Sequence, residues 1–158
     1  MQNNNVKLIW AVLCQESSID TNTNNISLFK VLEEIKFGIK MEDMNELQNN
    51  PNFDSAKPII LPFTSQLVIL WKNLSKNPDL KFPVKIILKD PNEKIIQETI
   101  NDGVFQKGKE RLRVVTAFKG FPLTKAGEYT YYIMTKQTKS ADFKEIDSIP
   151  IKVNIVHK

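Results

Sequence analysis

The sequence predicts an all-β protein, a single domain over residues 1–158 built as an antiparallel sandwich of seven to nine strands with one short helix. Three observations lead there. Apolar and polar residues alternate with a period of two through most of the chain from Leu67 to Val156. Turn chemistry separates the alternating runs, as in Asn77-Pro78-Asp79, Asp90-Pro91-Asn92-Glu93 and Asn101-Asp102-Gly103. Convincing helix formers gather in one place only, Met41 to Gln48.

The elements follow in order. Val6 to Gln15 is apolar on both parities and rich in β-branched and aromatic residues, which suits a central strand covered on both faces. Ser17 to Asn25 reads as a turn, since short polar side chains bond their own backbone there. Ile26 to Phe37 reads as one strand, with Phe29, Val31, Ile35 and Phe37 on one face, although Leu28 to Ile35 also fits a helical period. Gly38 to Lys57 is a long irregular connection holding the short helix, which Asn49-Asn50-Pro51 ends. Ile59 to Asn73 is a strand whose proper start follows Pro62. Pro83 to Asp90 and Ile95 to Ile100 form a hairpin. Arg111 to Lys119, Glu128 to Lys136 and Glu145 to Val156 complete eight strand candidates.

Composition excludes much chemistry. A chain of 158 residues buries roughly 70% of its unfolded surface, so it needs no disulfide or metal staple. The one cysteine, Cys14, rules out a disulfide framework, and the one histidine, His157, leaves almost no His-based catalysis or metal binding. No cofactor or metal site is expected, and five glycines leave little for phosphate loops. There are 22 basic and 18 acidic residues, a net charge of +4, and only Arg111 and Arg113 are arginine. That is a poor composition for reading DNA sequence, which favours Arg. Leu8 to Leu13 is too short for a secretory signal, Leu13 before Cys14 does not suit a lipoprotein signal, and no run reaches membrane-helix length. A cytoplasmic protein without a membrane partner is the expectation.

The Gly127-Glu128-Tyr129 opening of the penultimate strand is similar to immunoglobulin-like sandwiches, where a Tyr near a strand start ties down a corner. Ala11-Val12-Leu13-Cys14, the turn Thr21–Asn25 and Ile26-Ser27-Leu28-Phe29 extend the pattern. So do Asp90-Pro91-Asn92, Phe121-Pro122-Leu123 and Ile149-Pro150-Ile151-Lys152-Val153. Together they resemble a family of small uncharacterised bacterial β-sandwich proteins, a domain of unknown function. In it a first strand ending in Cys or Ala and an acidic residue leads to a turn and an Ile/Leu-rich second strand. The resemblance covers nearly the whole chain and implies an immunoglobulin-like sandwich. It carries no catalytic residue across, and the Gly38–Lys57 connection departs from the pattern.

Candidate sites are few. Met41, Met44, Leu47 and Phe53 give the Gly38–Lys57 segment an apolar side, which either docks a partner or caps an open end of the sandwich. Lys107, Lys109, Arg111 and Arg113 fall on one face if the strand extends back to Lys107. They form either a phosphate-tracking stripe or a solvated face, with Phe105 the one aromatic among them. Asp142, Glu145 and Asp147, and the turn pair Asp90 and Glu93, read as solvated charge. Cys14 reads as a buried inert thiol. Tyr129, Tyr131, Tyr132 and Trp71 read as core and corner residues more than as a binding platform. The leading expectation is a non-enzymatic binding or assembly module acting through protein–protein contacts, self-association included. The alternative is a nucleic-acid-binding accessory protein using the basic face.

Overall fold

The computed structural model describes residues 5–43 and 57–158. Among the described residues nine strands form two sheets. They are β1 (Val6–Ile19), β2 (Ile26–Val31), β3 (Glu34–Ile39), β4 (Ile59–Asn73), β5 (Lys81–Lys89), β6 (Ile95–Val104), β7 (Arg111–Leu123), β8 (Gly127–Thr135) and β9 (Lys144–His157). The four-stranded sheet runs β2-β1-β4-β7 and the five-stranded sheet runs β3-β9-β8-β5-β6. The alternation in the sequence sets the faces. Leu13, Ile69, Trp71 and Phe118 of the first sheet meet Val84, Tyr131, Ile133 and Val153 of the second in one buried cluster. Each such side chain stabilises the fold by roughly 1.5–3 kcal/mol. Aromatic rings are linked in pairs through this layer, Trp71 with Phe82 at 5.1 Å, Phe118 with Tyr131 at 5.3 Å and Phe121 with Tyr129 at 5.2 Å.

The run Ile26 to Phe37 is two strands in different sheets, not one strand or a helix. Lys30 adopts a left-handed φ of 52° within β2, and the extended run breaks after it, at Leu32 and Glu33. Leu32 N–H then donates to Leu13 O at 2.9 Å and Lys152 N–H to Glu33 O at 3.1 Å, handing the chain from one sheet to the other. As a result Ile35 is buried, while Phe29 and Val31 stay in solvent. Among the described residues the pairings are antiparallel with one exception: β3 runs parallel to β9.

Four further expectations change. Ser17, Ser18 and Ile19 are strand rather than turn, because they pair with Leu28, Ser27 and Ile26 of β2. β4 starts at Ile59, before Pro62, because a register shift between Leu61 and Thr64 leaves the proline off the regular ladder. Asn101-Asp102-Gly103 is strand, and the turn comes after Val104. Gly103 is needed there because the Phe82 ring lies where its Cβ would be, at 2.6 Å. Of the expected helix Met41–Gln48, a helical turn occupies 41–43, and the remainder lies outside the described residues.

Two corners are pinned by side chains. The Tyr129 hydroxyl donates to Lys125 O at 2.7 Å and accepts from Thr124 N–H and Lys125 N–H at 3.0 and 3.1 Å. Asp90 is buried rather than solvated. Its carboxylate accepts from Asn92 N–H, Lys94 N–H and the Thr124 hydroxyl, joining the β5–β6 turn to the Tyr129 corner.

Candidate functional site

The β1–β2 hairpin shapes the site. Its tip is closed by Asp20, whose carboxylate accepts from Asn22 N–H at 2.7 Å and Thr23 N–H at 3.1 Å. These peptide donors, Thr23 first, hold the Asp20 carboxyl below the usual aspartate range. Asn24 takes the left-handed conformation that Asn tolerates. The hairpin lies over the outer face of its own sheet, held by Ser17 Oγ donating to Gln66 Oε1 at 2.5 Å and by Arg113 Nη2 donating to Asn24 O at 2.8 Å. This cover explains why Val68 and Cys14 are fully buried although they lie outside the cluster between the sheets. Burial pushes the Cys14 thiol up, so it is an inert packing group.

Between the hairpin tip and the start of β7 is a cleft of about 710 Å³. Trp10, Leu70 and Val115 supply apolar lining, and Thr23, Asn24 and Asn25 line it from the hairpin. Lys109, Arg111 and Arg113 also line it, and no Asp or Glu among the described residues does. Arg113 Nε is buried without a hydrogen-bond partner among the described residues.

Strand register adds two cations that sequence spacing did not reveal. Lys7 of β1 faces Lys72 of β4, and Lys72 faces Arg111 of β7. Directly opposed residues share a face, so three positive charges stand in a row across three neighbouring strands, with Arg113 two residues further along β7. The ion pairs of the described residues, Lys81–Asp102, Lys85–Glu98 and Lys89–Glu93, all lie on the β5–β6 side. None neutralises the row.

The structure treats the sequence candidates unevenly. Lys109, Arg111 and Arg113 come together in the cleft, but the four-residue stripe does not exist as a strand. β7 begins at Arg111, and Lys107 and Lys109 lie in the turn before it, where Gly108 has φ 82°. Lys107 does not line the cleft. Phe105, the aromatic expected beside the stripe, is buried against Phe82 at 5.6 Å. Trp10 takes that place from β1. Met41 is exposed, while Met44, Leu47 and Phe53 lie outside the described residues. Trp71, Tyr129 and Tyr131 are core residues. No group of three or more His, Cys, Asp or Glu among the described residues is placed to hold a metal, and no helix among them is long and apolar enough to cross a membrane. No protein-family model matches the chain, and no curated protein matches it.

Proposed function

We propose that the protein is a non-enzymatic, cytoplasmic binding module of immunoglobulin-like type that holds a polyanionic partner on the outer face of its four-stranded sheet. One observation carries the reading: Lys7, Lys72 and Arg111 form a row that no ion pair among the described residues neutralises, and it runs into a cleft containing Arg113 and Lys109. Like charges opposed across strands destabilise a sheet, so their concentration on one face calls for a ligand of opposite sign. The immunoglobulin-like and bacterial-family readings draw support from the Tyr129 corner and from β3 running beside β9.

Titration of a labelled polyphosphate chain, followed by anisotropy, tests the reading. If about four phosphates are neutralised on a flexible chain, the affinity falls roughly 50-fold between about 50 and 200 mM salt. Lys109→Glu with Arg111→Glu removes binding without lowering the melting temperature. Absence of binding at low salt, or binding indifferent to those substitutions, overturns it.

A second reading, docking of a partner protein or a second copy, is favoured by the edge strand β2. It exposes Phe29 and Val31 at 50% and 55%. Loss of partner capture or of self-association in Phe29→Asp, with polyphosphate binding unaffected, would select it.

A further inference from the structure

The chain uses its arginines and tryptophans sparingly, and the cleft holds a disproportionate share of them. Only two of the 22 basic residues are arginine, and both line it. There are two tryptophans: Trp71 is sealed in the core and Trp10 lines the cleft. Arg binds phosphate through a planar fork, and Trp offers a broad face for stacking. The row Lys7–Lys72–Arg111 spans two strand spacings, about 10 Å. That is too wide for one phosphate or carboxylate group and suits a chain of them.

From these features, and resting on the polyanion reading above, we propose that the ligand is single-stranded nucleic acid. One base lodges against Trp10 beneath the hairpin, and the backbone phosphates run along Lys109, Arg111, Lys72 and Lys7. Asn25 and Gln106 also line the cleft and offer amide groups to a base edge. The hairpin overhang, tied by Arg113 to Asn24 O, argues against a duplex, whose bases are stacked inside and whose width would meet the tip. A stacking residue joined to a cation track is how sequence-tolerant single-strand binders work.

The test compares labelled DNA and RNA single strands of about 15 nucleotides, a duplex of the same length, inorganic polyphosphate and a polyglutamate peptide, all at one salt concentration. The expected order places the single strands at least about tenfold tighter than the other three. Trp10→Ala is expected to weaken the single strands about 5- to 150-fold, the range of one base–aromatic stack, and to leave polyphosphate binding unchanged. Trp10→Phe keeps a ring in the cleft and is expected to restore most of that loss. Quenching of the Trp10 emission by unlabelled strand, read as the difference between the native chain and Trp10→Phe, tests the contact without depending on the alanine variant folding. Equal binding of polyphosphate and single strands, with no effect of Trp10→Ala, overturns the base contact and leaves the polyanion reading standing. Tighter binding of the duplex or of polyglutamate overturns the choice of ligand. Failure of every probe to bind overturns both.

Discussion

Replacing Tyr129 by Phe removes one oxygen atom from a completely buried ring. That oxygen donates to Lys125 O at 2.7 Å and accepts from Thr124 N–H at 3.0 Å and Lys125 N–H at 3.1 Å. Each such bond contributes about 1 kcal/mol net, and a buried partner left unmade costs about 1–3 kcal/mol. The corner is only partly buried, so water can reach some of the freed groups. A destabilisation of about 2 kcal/mol follows, which lowers the melting temperature by about 4–8 °C for a chain of this size. Thermal unfolding followed by circular dichroism, paired with urea unfolding, measures it. The urea midpoint should fall while the slope stays constant, since the exposed surface on unfolding is unchanged. Tyr132→Phe is the control. Tyr132 is on the outer face beneath Lys89, where loss of the hydroxyl should change stability by less than about 0.5 kcal/mol. If Tyr129→Phe melts within 1 °C of the native chain, about the experimental error, the corner is not held by that hydroxyl.

Two further outcomes follow from buried groups. Asp90→Ala strips an acceptor from two peptide N–H groups and the Thr124 hydroxyl, so urea unfolding should show a loss of about 2–3 kcal/mol, and a loss below about 1 kcal/mol would contradict the network. Cys14 should resist a thiol reagent in the native state and react fully in denaturant; rapid native reaction would mean that the hairpin lifts off the sheet.

The sandwich was legible because it rests on period-two patterning. Val84, Ile86 and Leu88, and Tyr129, Tyr131 and Ile133, are read as buried rows directly from their spacing, and the structure buries them. The structure departs from the local pattern where tertiary contacts decide. Nothing local in Phe29-Lys30-Val31 announces a left-handed lysine, and the exchange of sheets at Leu32 is driven by partners at Leu13 and Lys152. The turn signal at Asn101-Asp102-Gly103 was genuine turn chemistry, overridden by the close approach of Phe82. The site was half legible. Lys109, Arg111 and Arg113 are close in sequence, but Lys7 and Lys72 join them only through the strand order β1-β4-β7. A partial signal existed: Lys7 opens one apolar run and Lys72 closes another, so antiparallel neighbours would bring them to the same end of a sheet.

That cation row makes one more demand, because a surface arranged for a ligand is not arranged for stability. Lys72 sits between Lys7 and Arg111 on neighbouring strands about 5 Å apart. Two unit charges at that separation repel by about 0.8 kcal/mol in water, less when long side chains splay apart. Replacing Lys72 by Gln keeps much of the aliphatic stem and removes both repulsions. The melting temperature should therefore rise by about 1–4 °C at low salt, and the gain should vanish near 1 M salt, where the screening length is about 3 Å. The same substitution should weaken polyanion binding and flatten its salt dependence by about one phosphate contact. A gain in stability matched by a loss in binding would identify Lys72 as a residue kept for its ligand. If Lys72→Gln instead lowers the melting temperature equally at low and high salt, its stem packing rather than its charge explains its presence, and the row loses its central member as an argument for binding.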